Sequence, residues 1–247
     1  MQALLDKILT FALEVLGRLK TRSMIDYFRN GISIDCLLFT VIEQKLQALL
    51  LRRKHELFNG EWSLPGRLLR SDMEPEYGLM RIMESLTGRT NVYYKQIRAF
   101  TGVNRHPQGR VVAIAYYGLT HPSKIELGTP DMASEVAWFP IDEVPEMPFD
   151  HNDILHSGLR RLRRRVHSRP VIVEMLPDRF SMPELQRAYE LVLGEQFDKR
   201  NFRKRFLESG LLEKLDEFQK SPRTRPAQLY RVIPDQYQRL RRKGFTV

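Results

Sequence analysis

The local signals along this 247-residue chain change character near residue 169, and that change limits the fold more than any other feature. Before it, short apolar runs alternate with turns; after it, the order is helix, helix, hairpin. Charge divides at nearly the same place. Residues 1–150 carry 18 Lys+Arg and 18 Asp+Glu, whereas residues 151–247 carry 22 and 12, so the whole excess of +10 lies in the second part. A neutral module joined to a basic one points to a polyanionic partner for the second, because each cation placed on a phosphate releases a counterion and gains affinity. An apolar fraction of 42% suffices for a core in each part.

Leu5, Ile8, Leu9, Ala12, Leu16 and Leu19 recur at helical spacing, which predicts an amphipathic helix within residues 1–30, either a cap on the next domain or a dimerisation helix. No apolar run reaches the ~20 residues that cross a bilayer, so neither a membrane span nor a signal peptide is expected. A single cysteine, Cys36, inside an apolar run fits a reducing compartment, and the chain is expected to be cytoplasmic.

Strands are expected over residues 32–42 and 46–52, separated by the polar turn 43–45, and again over 92–101, 110–119 and, briefly, 137–139. A helix fits 76–87, stopped by Gly88, and another starts from Asp150 or Asn152 as cap and runs into the basic series 160–165. The organisation read from this is an N-terminal helix (1–30), a first domain (31–168) and a second (169–247).

Trp62-Ser63-Leu64-Pro65-Gly66, with Gly88 22 residues later, resembles the Nudix family, whose box runs glycine, five residues, glutamate, seven residues, Arg-Glu, an apolar residue, any residue, Glu-Glu, any residue, glycine. The resemblance covers about residues 32–166 and implies an α/β/α sandwich around a mixed sheet. With Arg81 and Gly88 aligned to the box, Arg67 stands at its first glycine, Met73 at its first glutamate, and Ile82, Ser85 and Leu86 at its three helix glutamates. Hydrolysis of a diphosphate in this family needs divalent ions, and hard cations need oxygen ligands. No catalytic residue, metal or cofactor is therefore expected. The resemblance still implies a pocket for a nucleoside diphosphate derivative such as ADP-ribose. Arg52, Arg53, Trp62, Arg67, Arg81 and Arg105 are its candidate contacts, against the plainer alternatives of a core tryptophan and surface arginines.

In the second part, Ser181 or Met182 opens a helix with Pro183 near its first turn and Gly194 closes it; Asp198 caps a second helix that ends at Gly210. Two helices about a short turn are a helix-turn-helix layout. On the second, Phe202, Phe206 and Leu207 share one side, and Arg200, Asn201, Lys204 and Arg205 the other, with Lys199 and Arg203 at the margin. Such a face suits a major groove, where arginine can pair with guanine and asparagine with adenine. A hairpin follows, with Lys220, Arg223 and Arg225 in its loop as a wing. The expected DNA-contacting set is Gln186, Lys199, Arg200, Asn201, Arg203, Lys204, Arg205, Arg223 and Arg225.

Together the two blocks resemble the Nudix-related transcriptional regulators, a degenerate Nudix domain followed by a winged helix. That resemblance implies a homodimer on a palindromic double-stranded DNA operator, with a small molecule in the first domain changing its hold. In one branch the genes concern NAD metabolism and the ligand is ADP-ribose; other branches are tied to sugar utilisation. An ADP-ribose hydrolase with an accessory basic domain, and a ligand-independent DNA-binding protein, stay open as alternatives.

Overall fold

The computed structural model describes residues 31–54, 57–219 and 226–246. The expected helix within residues 1–30, and the wing cations Lys220, Arg223 and Arg225, lie outside them. Among the described residues no helix is long and apolar enough to cross a membrane.

The first domain is built on strands β1 (Gly31–Ile42), β2 (Lys45–Arg53), β3 (Trp62–Ser63), β4 (Gly66–Leu68), β5 (Tyr93–Phe100), β6 (Val111–Leu119) and β7 (Ala133–Pro140). β3, β2, β1, β6 and β5 lie side by side, with β4 also on β1 and β7 also on β2. The β1–β6 pair is parallel and the other pairs are antiparallel, giving a mixed sheet. β1 and β2 join through Glu43 and Gln44, both at positive φ (49° and 60°), a hairpin turn made without the usual Asn or Gly. β7 runs past the expected 137–139 because its pairing with β2 carries residues such as Ser134 and Glu135 that leave no apolar signal.

Strand alternation assigns the two faces. Ile34, Cys36 and Leu38 of β1, Leu49 of β2 and Tyr116 of β6 face helix α1 (Pro75–Thr87), packing on Leu79, Ile82, Met83 and Leu86. Leu37 and Phe39, Ala48 and Leu50, and Ala113, Ala115 and Tyr117 face helix α2 (His151–Ser168), packing on Ile154, Leu155, Leu162 and Val166. The result is an α/β/α sandwich. Gly158 is where α2 comes closest to the sheet, and a Cβ there would collide with Leu37 and Ile97.

α2 leads through a 3-10 turn (Val171–Met175) into the second domain: β8 (Phe180–Ser181), α3 (Met182–Leu193), α4 (Lys199–Glu208), β9 (Leu212–Gln219), β10 (Ala227–Val232) and α5 (Pro234–Lys243). Ser181 and Glu184 form a reciprocal capping box at the start of α3, and Gly194 closes it at φ 75°. The Asp198 carboxylate accepts from the Asn201 N–H to start α4. β8, β10 and β9 form an antiparallel sheet, completing a winged helix whose core is continuous with the α2 face of the first domain. Its centre is Tyr189, edge-on to Phe202 and Phe206.

Three expectations need correction. Asp150 occupies the N-cap position of α2 but makes no capping bond, because Arg105 takes its carboxylate; Asn152 instead accepts from the Met147 N–H. Leu207 is 43% exposed rather than packed beside Phe206. Helix α5 was not foreseen, since its run of Arg and Lys masks the apolar spacing of Tyr237 and Leu240.

Candidate functional site

The first domain carries a cavity of about 630 Å³ beside the β1–β4 pair, lined by Asp35, Arg53, Lys54, Arg67, Arg105 and Phe149 among others. Its base is an ionic cluster. Arg105, on the loop before β6, is almost wholly buried; it donates to Asp150 at 2.6 and 2.9 Å, to Asp35 at 3.1 Å and to Ser33 Oγ at 3.5 Å. Burial lifts the Asp35 carboxyl to about 6 against the opposing pull of Arg105. Gly66 stands opposite Asp35 in the β1–β4 register, and any side chain there would strike the Asp35 carboxylate.

Next to this cluster His151 is fully enclosed. Burial lowers its imidazole to about 3, so the ring is neutral, and its Nδ1 accepts from the Leu64 N–H at 3.1 Å. Phe149 sits at φ 61°, a costly conformation for an aromatic residue. That backbone turn presents its ring to a group of partners: His106 stacks at 5.1 Å, Phe58 meets it edge-on at 5.0 Å, and the Arg53 guanidinium lies 5.2 Å from its centre. Burial, followed by the charges of Arg105 and Arg53, also holds His106 below the usual imidazole range. Arg53, Lys54 and Arg67 are thus the cations facing the cavity without a carboxylate ion pair among the described residues, in a lining whose aromatic shelf suits a flat heterocycle.

Of the six candidate contacts, the structure brings Arg53, Arg67 and Arg105 to this cavity. Arg67 also lines an adjoining cavity of about 530 Å³, together with Arg81, Ile82, Ser85, Leu86 and Asp131. Arg52 and Trp62 lie elsewhere: Arg52 donates to the Gly60 carbonyl and pairs with Glu135, and Trp62 packs edge-on against Phe139. At the helix positions of the Nudix box, Ile82 and Leu86 are buried under the sheet, and Ser85 Oγ donates to the Ile82 carbonyl. Among the described residues no group of three or more His, Cys, Asp or Glu side chains is gathered to hold a metal ion. Sequence reasoning overlooked Asp35, Lys54, His106, Phe149 and His151. Only Asp35, a carboxylate inside an apolar strand, carried a signal, since a buried charge requires a partner.

In the second domain α4 buries Phe202 and Phe206 and exposes Lys199, Arg200, Asn201, Arg203, Lys204 and Arg205. Among these, Lys204 reaches Glu208 at 3.8 Å and Arg205 donates to the Thr246 carbonyl; both remain on the surface. Gln186 is different. It is buried, and its amide donates to Glu190 and to the Phe197 carbonyl, so it braces the α3–α4 turn. α2 connects the two regions: Asp150 at its start pairs with Arg105, which lines the cavity, and Arg163 donates to the Val192 carbonyl of α3 at 2.9 Å.

Comparison with known proteins places both halves. The profile described as NUDIX domain matches residues 32–158, and that described as NrtR DNA-binding winged helix domain matches residues 172–232. An ADPR responsive transcriptional repressor of Acinetobacter baylyi is 30% identical over 218 residues, 86% of each chain. The crystal structure of NrtR from Shewanella oneidensis complexed with a 27mer DNA is 28% identical and covers 84% of this chain and 95% of that one, with a TM-score of 0.73. An ADP-ribose pyrophosphatase of Methanocaldococcus jannaschii is 24% identical, over 61% of this chain and 90% of its own.

Proposed function

The chain belongs to the family of Nudix-related transcriptional regulators, and from that membership we propose that it is a DNA-binding repressor whose first domain, residues 31–168, senses ADP-ribose or a related nucleotide. Its second domain, residues 169–247, binds a palindromic operator, with the chain acting as a homodimer in the cytoplasm. The observation that carries this reading is the surface of α4, where six polar or cationic side chains stand clear of a helix anchored by Phe202 and Phe206. Arg200, Asn201 and Lys204 have the chemistry to read base edges and hold phosphates in a major groove.

The first domain acts as a sensor by linkage. A nucleotide that binds one dimer geometry more tightly than another shifts DNA affinity by that difference and no more. α2 is the connecting element, since Asp150 at its start pairs with the cavity-lining Arg105 and its later turns abut α3. No catalytic role is assigned to this domain. The Nudix box calls for a divalent metal, but Met73, Ile82, Ser85 and Leu86 offer at most one hydroxyl, already committed to a carbonyl. That donor set does not fit a hard cation.

Footprinting of the DNA upstream of the chain's own gene is the test. A protected, two-fold symmetric site that disappears with the Arg200→Ala, Asn201→Ala, Lys204→Ala variant supports the reading; uniform, sequence-independent coverage contradicts it. A second reading, an ADP-ribose hydrolase, is favoured by likeness to the archaeal pyrophosphatase. It predicts magnesium-dependent formation of AMP from ADP-ribose by the purified chain.

A further inference from the structure

The geometry points to metal-free recognition of a diphosphate, in which Arg67, assisted by Arg81, supplies the positive charge that divalent ions supply in hydrolytic Nudix enzymes. This inference rests on the effector reading above and concerns how the same site holds its ligand.

Arg67 lies on the seam of two cavities. Leu51, Gly66, Arg67 and Met132 line both, so the 630 Å³ and 530 Å³ spaces adjoin across β4. A ligand with a bulky group on each side of a diphosphate needs a trough of this kind, with charge neutralised at its middle. Arg67 is exposed there and makes no ion pair among the described residues. Its neighbour Gly66 cannot carry a side chain because Asp35 lies beneath it, which leaves position 67 as the place on this strand where a long cation can project over the seam. On the far side Arg81 leaves α1 toward the second cavity. Its surface contact with Glu84 at 3.4 Å is weak enough to exchange for a phosphate, while Asp131 is the carboxylate of that lining.

The residues around the seam are incompatible with the alternative. Ile82 and Leu86 are hydrocarbon, so a cation drawn in by the diphosphate would meet two guanidinium groups against a single carboxylate, Asp131, and the neutral hydroxyls of Ser85 and Thr129. A guanidinium needs no coordination shell, carries its charge at every accessible pH, and donates two parallel hydrogen bonds to phosphate oxygens. Phe149 and His106 also line the larger cavity and offer aromatic surface for a base, so that cavity suits the nucleoside side of a nucleoside diphosphate sugar whose diphosphate lies at Arg67.

Calorimetric titration of the full chain with ADP-ribose, in EDTA and again in excess magnesium, tests this. The expected result is the same affinity in both media within about twofold, a loss of about tenfold or more in Arg67→Ala, partial recovery in Arg67→Lys, and no change in Arg52→Ala, which removes an arginine outside the trough. Because Arg67 is exposed, the variant's unchanged thermal unfolding separates lost binding from lost folding. Binding that requires magnesium, or that Arg67→Ala leaves intact, overturns metal-free recognition while keeping the effector reading. Absence of ADP-ribose binding in both media overturns the effector reading and this inference with it.

Discussion

Replacing Arg105 with Met removes the cation from the most enclosed ionic cluster in the first domain while nearly keeping its volume. Asp35 and Asp150 are then left without their shared partner. Breaking a buried pair by deleting one member costs about 3–5 kcal/mol, a large fraction of the stability of a typical domain. The deficit depends on pH. Asp35 already titrates at about 6, above its ordinary 3.8, so the folded state binds more protons between these values and its stability falls as pH rises through about 6. Without Arg105 the carboxyl moves higher still, and each further unit adds about 1.4 kcal/mol to the loss above that pH. Urea unfolding followed by tryptophan fluorescence reads this domain, since Trp62 and Trp138 both lie in its sheet. The variant is expected to lose about 3–5 kcal/mol near pH 7.5 and at least about 1.4 kcal/mol less near pH 5, with Asp35→Asn added to it restoring part of the loss. The Arg105 charge also helps to hold the His151 imidazole down, so its removal eases the low-pH penalty on that ring and acts in the same direction as the change at Asp35. A loss under about 1 kcal/mol, or one equal at both pH values, would refute the role given to the cluster.

Gly158→Ala places a methyl group against Leu37 and Ile97, so overpacking of about 1–3 kcal/mol should lower the thermal midpoint. The His151 imidazole is held near 3, below the ordinary 6.5, so it adds stability that is full above 6.5 and lost as pH falls toward 3; its ring proton resonances should stay at their neutral positions at about pH 5. Arg200→Ala and Lys204→Ala, each on the exposed face of α4, should each reduce the slope of log K against log salt for operator binding by about 1 if the side chain holds a phosphate. Arg200→Ala should also relax base preference at one position if it reads a guanine.

The order of strands and helices was largely readable because both faces of the first sheet and one face of each helix are apolar at the right period. β1 shows this well: Ile34, Cys36 and Leu38 serve one layer, and Leu37 and Phe39 the other. The caps of α3 and α4 were readable from Ser181, Gly194 and Asp198, whose chemistry is local. The cavity was less so. Its shelf depends on Phe149 adopting positive φ, and its base on Arg105, Asp35 and Asp150 meeting from three distant segments, neither of which leaves a local pattern. The same limit explains Gln186 and Arg52: the chemistry of each suits a ligand, but the fold uses it to brace a turn.

The proposed linkage requires that occupancy of the first domain change the grip of the second on DNA. Titration of a labelled fragment from upstream of the chain's own gene, at one fixed salt concentration with excess nonspecific DNA, with and without saturating ADP-ribose, measures that coupling directly. The expected result is specific binding that ADP-ribose weakens severalfold, with the same factor appearing when operator DNA is added to a nucleotide titration. Specific binding of equal affinity in both conditions, despite demonstrated nucleotide binding, would contradict it.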